Sequence, residues 1–448
     1  MAYSEYWNPK NETLERDQLR ALQFVKLRRL CDWAWERSGF HRRLWEQGKF
    51  HPSQLKSLDD LRRIPFMTRE DWMDAQMEKP AFGDLTTVDH DLAIRFHTTS
   101  GTSGRVPLRV LDGCKDWEWA AEMWAYGFWA FGVRPSDRVF FAFSYGTFIG
   151  FWGAHYGCEK LGALVLPSGG SSTEHRIKTI IDTSATVVCC TPTYALRLWQ
   201  TACEMGVDLT KDSKVDKVMV SGEPAGSIPA VKRQLEEVWN AKVGDSAGMT
   251  EVGTIMMFEC RHQPGGTHII EDHFIEECLE HDSDTPVPYG EEAERAVTSF
   301  GRGFIPLIRY RTKDLVVKVP YRRCTCGRTG DIYDGGIRGR WDDMKLIRGA
   351  NVYPRAVEAI VREFNTLEEF QIVIERVNLQ DEITVHVELK LGCEAQWNEI
   401  QERLGVALRE AHEGLRFNVE RAASGSLPRF ELKAKRLTDK RPKAEFTH

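Results

Sequence analysis

TVVCCTPTYALRLWQTACEMGVDLTKDSKVDKVMV, residues 186–220, is the stretch that decides the fold. Its ends, Thr186–Cys190 and Lys217–Val220, are short apolar runs, and Tyr194–Glu204 between them has the length of a helix. Apolar runs without polar alternation read as strands buried on both faces. Strands separated by helices imply α/β layering over a largely parallel sheet. The texture continues on both sides. Val139–Phe143, Ala163–Leu166 and Ala241–Asp245 are further runs, and Asp116–Phe131, Thr173–Ile181 and Pro229–Asn240 are helix-length segments. Ligands of such sheets sit beyond the carboxyl ends of the strands. Ser144-Tyr145-Gly146, Thr191-Pro192, Ser221-Gly222-Glu223-Pro224 and Ser246-Ala247-Gly248 fall there.

Upstream stands Thr99-Ser100-Gly101-Thr102-Ser103-Gly104, followed by Arg105. Glycines let backbone N–H groups approach an anion closely, and the hydroxyls add donors, so the run reads as a polyphosphate cradle. No Gly-Lys-Ser/Thr follows, which excludes the common P-loop. A flexible Ser/Gly turn is the other reading. Residues 10–75 are charged, tryptophan-rich and helical in pattern, a packing layer on the main domain.

The texture changes near residue 340. A helix (about 354–364), two strands (about 369–376 and 381–389), a long helix (about 395–413) and a strand (about 416–421) describe a small α+β, lid-sized domain. The join, Gly339-Arg340-Trp341-Asp342-Asp343, is polar and reads as a hinge. Two domains are therefore expected, 1–339 and 340–448.

Of the 448 residues 42% are hydrophobic, enough for a sizeable core, and the net charge of −6 leaves no basic footprint for nucleic acid. The N-terminus is polar, unlike a secretion signal, and no run of apolar residues is long enough for a membrane span. Eleven cysteines without signs of secretion imply reduced thiols in a cytoplasm, with metal binding the special use to look for.

Two carboxylates stand out. Glu251, in Met249-Thr250-Glu251, is placed either to hold Mg²⁺ against phosphates or to begin a helix favourably. Asp314, after Ile305–Tyr310, is placed either to accept ribose hydroxyls or to make a turn. Cys324-Thr325-Cys326-Gly327 is a tight chelating pair with Cys260, His262 and His268 upstream. These residue types suit a Cys₃His zinc site, and free loop thiols are the alternative. Tyr145, Phe148, Phe151, Trp152 and His155 form an aromatic cluster that either packs the core or lines a pocket for an aryl group.

The order of Thr99–Gly104, Ser221–Pro224, Gly248–Glu251, Tyr310–Asp314, Gly339–Gly349 and Lys433 resembles the adenylate-forming acyl-CoA synthetases, and within them the phenylacetate–CoA ligases. The resemblance runs from about residue 90 to about 441 and includes Gly153-Ala154-His155-Tyr156-Gly157, Glu271-Asp272-His273-Phe274 and Arg348-Gly349-Ala350-Asn351-Val352-Tyr353-Pro354. It implies ATP-dependent, AMP-forming ligation of an aryl or arylacetic acid to coenzyme A, with Mg²⁺. It assigns Thr99–Gly104 to the β,γ-phosphates, Glu251 to Mg²⁺, and Glu223, Pro224 and the Ala247–Met249 turn to adenine. Gly222 and Thr250 belong to the same nucleotide turns. Asp314 takes the ribose with help from Arg340, Asp342 is the hinge, and Lys433 meets the carboxylate and α-phosphate. Tyr145, Phe148, Phe151 and His155 line the acid pocket, with Ser221 and Gly248 on the facing turns. Some relatives share the cysteines as a structural zinc site, and the Gly-x-His string points to His268 beside Cys260, Cys324 and Cys326.

Ala247 stands where the family usually carries tyrosine, Leu432 where it carries glycine, and the phosphate loop ends on Arg105-Val106-Pro107 without lysine. The alternatives are an enzyme that loads a carrier-protein thiol and a non-catalytic nucleotide-binding relative. A homodimer is compatible with the sequence, and neither nucleic acid nor membrane is an expected partner.

Overall fold

Alternate residues of each apolar run face opposite ways, and in this chain both ways lead into a core. The computed structural model describes residues 3–99, 107–348, 350–378, 380–412, 414–430 and 434–441. Ser100, Gly101, Thr102, Ser103, Gly104, Arg105, Leu432 and Lys433 lie outside the described residues. A two-stranded antiparallel ribbon, β1 (Arg95–Thr98) and β2 (Arg109–Asp112), flanks the Ser/Gly segment. The main sheet then uses β3 (Arg138–Phe141), β4 (Leu164–Pro167), β5 (Val187–Cys190), β6 (Lys217–Ser221), β7 (Lys242–Met249), β8 (Thr254–Phe258), β9 (Gly266–Ile269), β10 (Phe274–Leu279), β11 (Glu292–Ser299), β12 (Leu307–Val319) and β13 (Ile332–Asp334). Their spatial order is β10-β11-β12-β13-β9-β8-β7-β6-β5-β3-β4, and β14 (Gly339–Arg340) pairs with β12.

The segment 186–220 is the strand–helix–strand unit its pattern implies: β5, the helix Pro192–Glu204, and β6 parallel to β5. Val187, Cys189 and Met219 enter one core with Val139 and Phe141. Val188, Cys190, Val218 and Val220 enter the other with Phe140. Burial on both faces is why these strands carry no polar alternation. Cys189 and Cys190 are both fully buried and only pack.

The sheet is not largely parallel, which corrects the expectation. Parallel pairing covers β3 to β7; β7 through β13 pair antiparallel. The connections explain the change. Parallel neighbours need a crossover such as a helix, whereas antiparallel neighbours can be joined by tight turns, as β7 and β8 are across Thr250–Gly253.

The C-terminal part has its own sheet and core. A hairpin of β15 (Lys345–Ile347) and β16 (Ala350–Val352) leads to the helix Pro354–Arg362, then β17 (Leu367–Val377), β18 (Gln380–Leu389), the helix Trp397–Ala411, β19 (Asn418–Arg421) and β20 (Leu437–Asp439). The strand order is β19-β18-β17-β20, and Val357, Phe370, Ile374 and Leu404 close the core. The hairpin and β20 carry no sequence signal of their own length. The mixed α/β architecture with a large sheet part and a smaller C-terminal part is the one expected. Among the described residues no helix is long and apolar enough to cross a membrane.

Candidate active site

The carboxyl ends of β3, β5, β6 and β7 lie side by side, so the turns that follow them meet at one edge. Glu251 occupies the turn after β7, closed by a Gly253 N–H to Met249 C=O bond of 3.0 Å. Its side chain is buried. Oε1 accepts from Arg69 Nη1 at 2.6 Å and from the Tyr310 hydroxyl at 3.3 Å. Burial and the Glu251 charge push the Tyr310 hydroxyl well up, which keeps it a donor. The other amino group of Arg69 donates to Thr99 Oγ1 at 3.0 Å. Arg302, wholly buried, donates to the carbonyls of Thr250 and Glu251 at 3.2 and 2.7 Å and pairs with Asp112 of β2. One chain of charges therefore ties the ribbon that holds the Ser/Gly segment to the acidic turn. A carboxylate is a hard oxygen donor, so Glu251 is of the residue type that fits Mg²⁺.

Gly248 has a steric reason. A Cβ there would meet the Thr254 carbonyl oxygen at 2.5 Å across the β7–β8 pair. Ser221 is buried and donates to the Ser246 carbonyl at 2.9 Å, locking the ends of β6 and β7 together. Glu223 accepts from Thr193 N at 2.8 Å and from Ala434 N at 3.0 Å.

Asp314 lies opposite Arg340 in the β12–β14 pair. Its Oδ2 accepts from buried Arg295 at 3.2 Å. Arg340 instead grips Asp342 with two bonds of 2.8 Å. Burial alone would raise Asp342, but the Arg340 guanidinium outweighs it and holds the carboxyl below its ordinary range. Trp341, between them, stacks on His281 with ring centres 4.1 Å apart. A cavity of about 550 Å³ opens next to this join, lined by Ser227, Asp245, Glu259, Gly336, Tyr353 and Arg355 among others.

Tyr145 donates to or accepts from His155 Nδ1 at 2.9 Å, and its ring meets Trp152 edge-on at 4.8 Å. His155 Nε2 faces Glu159 at 3.2 Å. Phe148 and Phe151 touch each other, and Phe151 is buried. Tyr145, Phe148, Ala247 and Met249 are partly buried and all pack on the main core.

Cys260, His268, Cys324 and Cys326 converge, with all ligand atoms within 4.8 Å of one another. The Cys260 and Cys324 sulfurs are 3.6 Å apart, and Cys326 Sγ is 3.4 Å from His268 Nε2. A tetrahedral zinc with ~2.3 Å thiolate bonds requires sulfur–sulfur separations of ~3.8 Å, so the four residues fit it. His262 points elsewhere, to Thr325 and Glu5.

Arg69, Thr193 and Arg302 were not distinguishable in the sequence. Arg69 merely opens a helix behind a Thr68–Asp71 capping box, and its partners are distant in the chain.

The AMP-binding enzyme C-terminal domain family matches residues 349–441. The phenylacetate-coenzyme A ligase of Thermus thermophilus is 36% identical over 385 residues, 86% of this chain and 84% of that one. The chain belongs to the phenylacetate–CoA ligase family. The Escherichia coli phenylacetate-coenzyme A ligase is 33% identical, with 96% of this chain and 97% of that one aligned. Among solved structures, a 2-hydroxyisobutyryl-CoA ligase in its postadenylation state matches with a TM-score of 0.92 at 30% identity, covering 98% of this chain and 93% of that one. The same relative in its thioesterification state, at 31% identity and the same coverage, has a TM-score of 0.74. The large and small parts of this chain are thus arranged as in the postadenylation form of that ligase.

Proposed function

We propose that the protein adenylates an aromatic carboxylic acid, aryl or arylacetic, with ATP and transfers the acyl group to coenzyme A. In the first step a carboxylate oxygen bonds to the α-phosphorus as the bond to pyrophosphate breaks. In the second, the coenzyme A sulfur bonds to the acyl carbon, AMP leaves with the electron pair, and the thiol proton passes to solvent. The chain's task is positioning and charge neutralisation. Thr99–Gly104 holds the β,γ-phosphates, the Glu223–Pro224 and Ala247–Met249 turns hold adenine, Asp314 holds the ribose, and Lys433 meets the charge that builds between carboxylate and α-phosphate. Glu251 would hold Mg²⁺, which would supply countercharge to the phosphates. Arg69 keeps that carboxylate aimed.

The observation that carries the acid class is the aromatic group in which Tyr145 meets Trp152 and Phe148 meets Phe151. Such a lining complements an aryl ring, and no lysine or arginine among these residues invites a second carboxylate. Pyrophosphate release with a panel of benzoic, arylacetic and short 2-hydroxy acids tests this. The highest kcat/KM is expected for an aromatic member. A preference for the short hydroxy acids would move the assignment to an aliphatic substrate.

We also propose that Cys260, His268, Cys324 and Cys326 hold a structural zinc that ties the β8–β9 turn to the loop after β12. Four protein ligands leave no open position for substrate. Purified protein is expected to carry about one zinc per chain. Cys324→Ser should lower Tm by several degrees while the folded fraction keeps its turnover. Metal analysis without zinc, or a variant that loses turnover at unchanged Tm, would remove the assignment.

A further inference from the structure

The helix Pro354–Arg362 belongs to the small domain, and its Val357 and Val361 enter that domain's core. Its other side leans on the large domain. Ala359 packs against the core that holds Val188 and Val220, and Arg355, one turn earlier on the same face, reaches across. Arg355 Nη2 donates to Ser227 Oγ at 2.7 Å and to the Gly335 carbonyl at 3.0 Å. The large domain itself holds both acceptors in place. The Gly335 N–H donates to the Gly265 carbonyl at 2.9 Å. A Cβ at Gly336 would lie 3.4 Å from Ser227 Cβ and 3.3 Å from Asp245 Oδ2, so the loop after β13, the turn after β6 and β7 meet there.

A cation in the first turn of a helix opposes the helix dipole, so the helix itself gains nothing from Arg355. Both acceptors are neutral, and Asp245 acts on the guanidinium through space. Burial pushes the Arg355 guanidinium down, and Asp245 offsets only part of that. A local conflict of this kind marks a residue kept for what it reaches. By contrast, the ion pair Arg233–Glu363 also joins the domains, at 3.1 Å, but its side chains are 59% and 56% exposed, where such pairs contribute little.

We propose that Arg355 is a positioning residue for acyl-adenylate formation: it bolts the helix Pro354–Arg362 to Ser227 and Gly335 and so holds the small domain in the arrangement seen here. The inference rests on the two-step reading above. Hydrogen bonds from a guanidinium are charge-assisted and directional, so they fix the helix against the large domain. Neutral acceptors let the bolt part. Withdrawal of Arg355 leaves a hydroxyl and a carbonyl behind, not an unpaired buried carboxylate, and relieves the burial of the guanidinium. The residue thus locates the first arrangement without locking out a second one for thioester formation.

Arg355→Met keeps the length of the side chain and removes its donors. It is expected to lower kcat for acid-dependent ATP–pyrophosphate exchange about tenfold, while thioester formation from supplied acyl-adenylate is as fast as in the parent or faster. That second rate also reports an intact fold. Arg233→Ala should leave both half-reactions within about twofold of the parent. Four results would overturn the inference: equal losses in both halves of Arg355→Met, unchanged exchange, an equal loss in Arg233→Ala, or a raised KM for ATP with kcat preserved, which would make Arg355 a nucleotide ligand. Small-angle X-ray scattering of the ligand-free chain tests the bolt without turnover. Fitted with the present arrangement and a rotated one, the share of the present arrangement should fall in Arg355→Met; a share equal to the parent's would also overturn the inference. A parent chain without acid-dependent exchange for any acid would instead refute the two-step reading, and the scattering comparison would still decide the bolt.

Discussion

Lys433→Ala is expected to slow adenylation by about a hundred- to a thousandfold, the loss typical when a charge aimed at a transition state is removed. Negative charge grows on the α-phosphate and the leaving pyrophosphate as the new bond forms, and an ammonium group placed there is stabilised most at that moment. ATP binding should change little, because in the proposed mechanism the nucleotide is held by Thr99–Gly104 and the Glu251 turn in both ground and transition states. Thioester formation from supplied acyl-adenylate should survive, since the lysine belongs to the first step alone. Stopped-flow pyrophosphate release and a separate thiolysis assay check the two halves. Equal losses in both, or in neither, would refute the role.

Asp342→Pro is expected to give the opposite pattern. Asp342 lies in the short 3₁₀ turn Trp341–Asp343, where a proline φ near −65° fits the present arrangement but cannot be rotated out of it. Adenylation should persist, while thioester formation should fall by about a hundredfold, the scale of a misplaced reacting group. The Arg340–Asp342 pair is lost as well, so Asp342→Ala is the companion variant: it removes the same carboxylate without fixing the backbone and should keep both half-reactions. The side chains of the pair are 37% and 44% exposed, where ion pairs contribute little to stability. Normal thioester turnover in Asp342→Pro would place the pivot elsewhere. The stack of Trp341 on His281 marks the upstream side of that pivot as part of the large domain.

What was legible in the sequence follows from what each segment buries. The parallel strands β3, β5, β6 and β7 could be seen because both their faces enter apolar cores, whereas edge strand β4 is only half-buried. The antiparallel half was hidden by its own chemistry. Arg295 pairs with Glu276 at 2.6 Å and Arg311 with Glu294 at 3.0 Å between neighbouring strands, and Arg309 of β12 reaches Glu277 of β10, two strands away, at 2.7 Å. Charged letters in those segments read as exposed surface, although Arg295 and Arg309 are almost wholly buried. Such pairs persist in a sheet because each guanidinium meets its carboxylate in good geometry. The turns after β6 and β7 were legible as loops at the carboxyl ends of buried strands, and the nucleotide roles proposed for them came from the family resemblance. Their partners were not. Arg69 reaches Glu251 across 182 residues and Ala434 reaches Glu223 across 211, and no local pattern records either meeting. The Cys₃His cluster sits between these cases: Cys324 and Cys326 announce themselves by spacing, the family resemblance pointed to His268 rather than His262, and the pairing of β9 with β13 seats His268 beside the three cysteines.

The central claim is that an acyl-adenylate forms on this chain and is passed to a thiol. The most direct measurement is product stoichiometry by mass spectrometry, with ATP, Mg²⁺, coenzyme A and the preferred aromatic acid. Equal amounts of AMP, pyrophosphate and acyl-coenzyme A are predicted, and omission of coenzyme A should leave acid-dependent exchange of pyrophosphate into ATP. ADP and phosphate as products, or no acid-dependent exchange with any acid, would contradict the account.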